Sequence, residues 1–513
     1  MKEQLALLPQ YVTAHLQLTL FALAAGMAFS IPAGIAITRS PRFERPVLAV
    51  ASVIQTVPSL ALLAIMVPAL SALGLRSIGF LPALIGLSLY SVLPILRNTV
   101  TGLSGLDPAL TEAARGVGMT PRQQLWRVEL PLAMPVILAG VRTATVWTVG
   151  MATLSTPVGA ASLGNYIFSG LQTRNLTSVL VGCVGAAALA LVLDGLVRAL
   201  GAALVGRRRS PLFVVLATLG VLYAYSSVTF VQGLRRSGPD RIVVGAKTFT
   251  EQYILGRILA LQIEKSTGSP VEVVSSLGST VVFDALRAGE IDAYVEYSGT
   301  IWATIMHRDS APATRAASPT TRAALLSEVS RFLESQHGIT VAGPLGFENA
   351  YALAMRRGQA TGLAVKSISD LARHAPRLAI GGDYEFFDRA EWRAIRDIYG
   401  LEFRDQRSMD PSLMYQAVAN GEVDVIGAFS SDGRIAALDL TVLQDERGAI
   451  PPYDAIILAG PRLVRERRDV LAALSALAGR IDADEMRRMN LAVDQEGAAP
   501  DDVAARFVRA ESP

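Results

Sequence analysis

The carboxylates best spaced for acid–base chemistry are Asp292 and Glu296, together with Asp424, and they fall in two copies of one short pattern. Gly289-Glu-Ile-Asp292 and Gly421-Glu-Val-Asp424 each stand before an apolar run. A pair of carboxylates could exchange protons, but no nucleophile accompanies these, and Gly-Glu-[Ile/Val]-Asp before a strand reads as a helix stop. The four histidines, His15, His307, His337 and His374, show no His-x-x-x-His or Glu-x-x-His spacing, so a metal site is not expected. The single cysteine, Cys183, excludes an intrachain disulfide and is expected to serve small-residue helix packing. Gly245-Ala-Lys-Thr248 resembles the end of a phosphate-binding loop without its leading glycine, and no Gly-x-x-x-x-Gly-Lys-[Ser/Thr] occurs. Gly381-Gly-Asp-Tyr-Glu-Phe386 approaches a diguanylate cyclase signature, but the inserted Tyr384 breaks it. No catalytic residue, metal site or bound cofactor is expected, and a net charge of +3 over 513 residues gives no electrostatic case for nucleic acid.

The elements that hold these residues belong to two unlike halves. Hydrophobic side chains make up 51% of the chain and charged ones 18%, and the mean hydropathy is +0.39, too apolar for a soluble enzyme throughout. Apolar runs of membrane-spanning length stop near residue 235. They predict spans at Leu16–Thr38, Val47–Leu70, Ile78–Leu96, Leu132–Leu154, Ser178–Leu200 and Leu212–Val231. The first lacks the basic start and cleavage site of a signal peptide, so it reads as a retained span. Arg39, Arg42 and Arg45 follow the first span; Arg97, Arg115, Arg122 and Arg127 follow the third; Arg198 stands at the end of the fifth, and Arg207, Arg208 and Arg209 follow it. Positive charge marks the cytoplasmic side, so both termini face outward. The outer connections carry only Arg76 and Arg174, while Arg235 and Arg236 run against the rule.

From Asp240 onward, short β-branched runs alternate with amphipathic stretches, an α/β pattern. Gly278–Asp292 and Met409–Asp424 mirror each other: a capped helix runs into the repeated tetrapeptide and then a strand. Ser279 and Asp410 are the expected N-caps, with Pro411 at the first helical position. The repeat predicts two lobes, 240–345 and 346–450, with the tail from 451 returning to brace them and a solute held between them. The expected division is therefore 1–235 for a helical membrane part and 236–513 for a two-lobed domain.

On the cytoplasmic side stands Glu112-Ala-Ala-Arg-Gly-Val-Gly118, followed after nine residues by Val128-Glu-Leu-Pro131. Ala113 and Ala114 permit close approach, Glu112 offers a charge, and Gly118 permits a turn closed to other residues. Asp107-Pro108 caps the first short helix. This segment resembles the coupling loop of ATP-binding-cassette importer permeases, which implies that 107–131, with Leu130 and Pro131, docks on an ATPase. The ATPase is then a separate dimeric subunit that binds the ATP, and two copies of this chain pair in the membrane.

The second half carries Gly245-Ala-Lys-Thr-Phe-Thr-Glu-Gln-Tyr-Ile-Leu-Gly256, Gly289–Thr300, Phe347–Leu353, Gly421–Arg434 and Pro451-Pro-Tyr-Asp454. Together these resemble the extracytoplasmic binding domains of osmoprotectant importers for glycine betaine, choline and carnitine, including ergothioneine-type members with the same fused arrangement. The resemblance implies an all-α permease of about six helices followed by a type II periplasmic-binding-protein domain. It also implies a multi-pass protein of the inner membrane with its second half in the periplasm or outside the cell, taking a small cationic or zwitterionic solute. Such a ligand cannot donate a hydrogen bond from its quaternary ammonium and is held by aromatic faces. Carried over by position, the pocket residues are Tyr297, Thr300, Tyr351 and Tyr415, with Gln252 for the polar end and Asn349 and Tyr453 beside them. Gln252 and Thr300 can equally serve as helix caps. Where the family has an Asp-Gly pair after Glu-Phe-Phe-x-Arg, this chain has Ala390-Glu391-Trp392, and no fourth cage tyrosine is found. A transmembrane solute sensor is the rival reading, but the cytoplasmic segments are too short for an output domain.

Overall fold

The computed structural model describes residues 7–173, 175–206, 209–236, 241–307, 319–383 and 386–510. Expectations placed on Arg174, Arg207, Arg208, Tyr384 and the 237–240 part of the linker lie outside the described residues. Two compact units result, one made chiefly of helices before Arg236, the other chiefly of the α/β segment from Arg241.

In the first unit, Leu8–Thr38, Phe80–Ser104, the run through Leu130–Ala152, Leu176–Val205 and Arg209–Arg236 are helices of spanning length and apolarity. The expected second span is not one straight helix. Pro41–Thr56 and Ser59–Ala72 meet at 98°, giving five helices of spanning length among the described residues, or six spans if the bent pair counts as one. The break falls at Val57, held extended with φ −68° and ψ 126°, before Pro58, which has no N–H to continue a helix. Cys183 is exposed on its helix within the chain, not packed between helices as expected. His15 is a satisfied interior residue: Nε2 meets the Val149 carbonyl at 3.0 Å and Nδ1 accepts the Leu163 amide at 3.3 Å.

Two ion pairs tie the continuous helical run through Leu130–Ala152 to its neighbours. Arg39 meets Glu129 at 2.5 Å, and Gln124 donates to the same carboxylate at 2.7 Å. Higher up, Arg142 grips Asp194 through Nε and Nη2 at 2.8 and 3.0 Å, joining this helix to Leu176–Val205.

The second unit has two five-stranded sheets. Strands β1 (Ile242–Lys247), β2 (Val271–Leu277), β3 (Ala293–Tyr297), β4 (Thr340–Glu348) and β10 (Asp454–Ala459) form the first, in the order β2-β1-β3-β10-β4. The second holds β5 (Tyr351–Arg356), β6 (Ala379–Gly382), β7 (Asp405–Ser408), β8 (Val425–Phe429) and β9 (Leu440–Val442), in the order β7-β6-β8-β5-β9. Both follow one plan: β1–β3 and β6–β8 are parallel, while β10 and β5 lie antiparallel to both of their neighbours. The sequence repeat supplies equivalent joints. Asp292 brackets Val243, accepting its amide at 2.8 Å while its own amide meets the Val243 carbonyl at 2.7 Å. Asp424 does the same to Ala379, both at 2.9 Å. Gly289 and Gly421, at φ +73° and +80°, make the preceding turns. These carboxylates therefore fasten strands, and Arg462 closes on Asp292 at 2.5 Å.

The chain passes from the first sheet to the second between Glu348 and Tyr351 and returns just before Asp454. The crossings run side by side, the Asn349 amide donating to the Tyr453 carbonyl at 3.1 Å. The tail helices Ala483–Asp494 and Pro500–Ala510 bury Met486, Met489, Val503 and Phe507 in the core of the first sheet.

Candidate functional site

The sequence-nominated residues of the second unit gather in two adjoining groups at the crossings, with Tyr415 apart from both. The first group surrounds a residue the sequence reading passed over, Glu251. It sits in the first turn of the helix Thr250–Thr267 and is 3% exposed. The Tyr297 hydroxyl donates to it, as do Asn349 Nδ2 and Asn490 Nδ2, each at 3.2 Å. Gln252 donates to the Val295 carbonyl at 3.0 Å and the Tyr297 hydroxyl at 3.2 Å, so it locks the helix to β3. Lys247 closes the group: its ammonium meets Glu296 at 2.5 Å with both side chains under 5% exposed, and lies 4.9 Å over the Tyr297 ring.

Burial pushes the Glu251 carboxyl above the usual glutamate value, although hydrogen bonds from Ser431, Tyr297, Asn490 and Asn349 pull the other way. Asn349 Oδ1 has no donor among the described residues, which suits a protonated Glu251, because reversing that amide lets the carboxyl O–H donate to it. The folded unit then holds a proton that the unfolded chain releases at the ordinary glutamate value. Its contribution is fully present below that value and is lost as pH rises toward the raised one, by about 1.4 kcal/mol per pH unit. The unit is therefore expected to melt at lower temperature as pH rises above the ordinary glutamate range. Glu251→Gln should flatten that dependence in a pH series of melting curves; an unchanged slope would rule Glu251 out as its source.

The second group forms where β5 begins. The Tyr351 hydroxyl donates to Asp383 at 3.1 Å, and Asp383 also accepts the Phe386 amide at 2.8 Å. The Arg389 guanidinium stands 5.2 Å from the Tyr351 ring centre and contacts Glu391 through Nε and Nη2, both at 3.3 Å. The Tyr453 hydroxyl donates to Glu391 from the other crossing. Burial works against ionising Glu391, yet the Arg389 charge and the Tyr453 hydrogen bond hold its pKa below the usual value. Burial and the Glu391 charge together push the Tyr453 phenol upward. Gly299 lets Tyr453 lie against the first lobe, since a Cβ there would fall 2.6 Å from the ring. Thr300, half-buried, follows on the same short helical turn, Ser298–Thr300.

Tyr415 is fully buried beneath the opposite face of the second sheet, among Ala354, Met414, Ile426 and Ala428. Its hydroxyl accepts the Phe429 amide at 3.0 Å, and the Arg434 guanidinium covers its ring at 3.9 Å. Tyr351 faces the other core, with Phe386 and Trp392. The structure thus joins Tyr297, Gln252 and Asn349 in one group and Tyr351 and Tyr453 in the next, and leaves Tyr415 outside both. Glu251, Arg389 and Glu391 lay inside motifs that were visible in sequence, the last at a departure from the family pattern, but nothing local marked them as partners of tyrosines.

In the first unit, Asp107 caps the helix Pro108–Gly116, accepting the Ala109 amide at 2.9 Å. Glu112 and Ala113 are exposed, whereas Ala114 is turned inward at 5% exposure and is not part of the presented face. Gly118 turns the chain at φ +81°, and Thr120 and Gln123 form a reciprocal cap that starts Pro121–Gln124. Leu130 is buried and Pro131 exposed where the long helix begins. The segment is a short exposed helix, a glycine turn and a second helix continuous with a span.

A helical membrane unit bearing such a loop, joined to a two-sheet domain whose crossings carry a tyrosine group, defines a permease fused to a solute-binding domain. Residues 240–510 match the substrate-binding domain of ABC-type glycine betaine transport systems, and the chain belongs to that family. Residues 26–206 match the inner membrane component of binding-protein-dependent transport systems. An ergothioneine transport permease/ergothioneine binding protein of Helicobacter pylori is 29% identical over 94% of this chain and 86% of its own length. A choline transport system permease protein of Bacillus subtilis is 42% identical over 35% of this chain and 80% of its own length. A crystal structure of a glycine betaine/carnitine/choline ABC transporter has 29% identity, covering 52% of this chain and 98% of its own, with a TM-score of 0.47. The chain is a fused permease and substrate-binding domain of an ABC importer, multi-pass in the inner membrane, with its binding domain on the periplasmic or extracellular side.

Proposed function

We propose that the importer takes up quaternary-ammonium compatible solutes such as glycine betaine, choline and carnitine, with ergothioneine as the alternative from the same chemical class. The observation that carries this reading is the group around Tyr351 and Tyr453, where aromatic faces and a charged pair meet at the crossings between the sheets. An aromatic face attracts a diffuse cation that cannot hydrogen-bond, and the relatives are named for ergothioneine and choline, both trimethylammonium compounds. Gln252, Tyr297, Thr300 and Asn349 line the neighbouring ground, and Tyr415 braces the second lobe. ATP is hydrolysed by a separate ABC ATPase dimer that engages Glu112, Ala113 and the turn at Gly118. Two copies of this chain pair in the membrane.

Calorimetry on the full chain in lipid nanodiscs, against glycine betaine, choline, carnitine and ergothioneine, tests the reading. At least one should bind, and Tyr351→Ala should weaken it by about 1 kcal/mol or more. Absence of binding by every trimethylammonium compound would overturn the assignment.

A further inference from the structure

Glu129 ends the π-helical turn Leu125–Glu129, which joins the short helix Pro121–Gln124 to the span Leu130–Ala152. Its side chain is 8% exposed, and its two oxygens have different partners. Oε1 accepts Gln124 Nε2 at 2.7 Å, from the loop. Oε2 accepts Arg39 Nη2 at 2.5 Å, from the residue that closes the first span, Leu8–Thr38. The contact with Gln124 depends on the π turn. Residues five apart in an α-helix point about 140° away from each other, whereas the wider turn, in which the Leu130 amide reaches the Leu125 carbonyl, brings Gln124 and Glu129 to one side. Gln124 is itself 3% exposed. Next to this carboxylate, Leu130 and Ile137 pack with Ile31 and Ile35 of the first span.

We propose that Glu129 is a positioning residue for transport: it ties segment 107–124 to the first span, so that this span follows the loop when the ATPase closes. The proposal rests on the reading above that the loop engages an ATPase, and it adds the route by which movement leaves the loop sideways. The span Leu130–Ala152 is continuous with the loop and moves with it directly. The first span is a separate helix and follows only where it is gripped, and apolar side chains alone leave two helices free to slide by small steps. A carboxylate with one oxygen on each side fixes both distance and direction, and its bond to a guanidinium is charge-assisted. Arg39 keeps 45% of its side chain exposed, so water can serve it when Glu129 is gone, and the pair contributes position more than stability.

Gln124→Leu/Glu129→Leu removes both buried polar partners together, which strands no donor or acceptor in the interior. Uptake of glycine betaine, choline, carnitine and ergothioneine by the full chain in proteoliposomes, with the ATPase present and its hydrolysis followed alongside, gives the solute moved per ATP. In the double variant that ratio should fall roughly tenfold while hydrolysis stays within about twofold of wild type. Glu129→Gln keeps the shape and an oxygen for Arg39 but loses the charge, and its ratio should fall by about threefold, which gives a second reading should the double variant fail to insert. Calorimetry on the same chains should show solute affinity unchanged. A structural role would lower uptake and hydrolysis together with the ratio unmoved, and that result, or a wild-type ratio in both variants, overturns the proposal. A wild-type chain that carries none of the four solutes and leaves hydrolysis by the ATPase unaltered would sink the reading of the loop and this proposal with it.

Discussion

Lys247→Met will destabilise the α/β unit by about 3–5 kcal/mol, because it strands the Glu296 carboxylate in a place water does not reach. Lys247 and Glu296 are 4% and 3% exposed and meet at 2.5 Å. Glu296 also accepts the Tyr294 hydroxyl at 3.1 Å and the Tyr297 amide at 2.8 Å, so it is bound into the sheet and cannot swing out to solvent. Removing the ammonium leaves the charge with neutral donors only. The remedy is specific: adding Glu296→Gln, which keeps an acceptor and removes the charge, should recover more than half of the loss. Denaturant unfolding of the reconstituted chain, followed through Trp302 and Trp392, measures both variants. A single variant within about 1 kcal/mol of wild type would mean that the ion pair does not hold this corner. The effect reaches the site, since the same ammonium lies over the Tyr297 ring and Tyr297 in turn donates to Glu251.

Gly118→Val will cut transport by roughly 5–30-fold while leaving solute affinity unchanged, from a strain of about 1–2 kcal/mol in the left-handed region. Gly118 lies at φ +81°, and a Cβ built there meets nothing within 4 Å. The cost is therefore one of backbone conformation alone, and the turn relieves it by moving the exposed helix Pro108–Gly116 relative to the helix that continues into the span. Gly118→Asn is the control, because asparagine tolerates this conformation and should retain most activity. Uptake into proteoliposomes with the ATPase present, set beside calorimetry on the same chain, separates transport from binding. Equal, wild-type transport by both variants would exclude a geometric role for this turn.

Much of the architecture was legible locally. Long apolar runs with arginines on one side determine spans and orientation, because neither hydrocarbon nor the inner-face charge bias needs tertiary information to act. The spacing of Glu112, Gly118, Leu130 and Pro131 determines a helix, turn and helix in the same way, through a cap at Asp107 and a left-handed glycine. The twin Gly-Glu-[Ile/Val]-Asp segments determine two lobes of one plan. The bend at Val57–Pro58 was also written in the sequence, as a proline inside an apolar run, but hydropathy alone passes over it.

The candidate site was decided elsewhere. Tyr351 and Tyr415 were equivalent candidates as tyrosines at the edge of strand and helix patterns. Strand pairing puts one with Phe386 and Arg389 and the other beneath the opposite face under Arg434. Glu391 meets Tyr453 across 62 positions of sequence, and Glu251 draws donors from Tyr297, Asn349 and Asn490, the last 239 positions away. A side chain's local pattern records which face it must bury, while its partner depends on where the chain returns. That is why the elements could be read from the order of residues and the tyrosine group, with its paired charges, only from their packing.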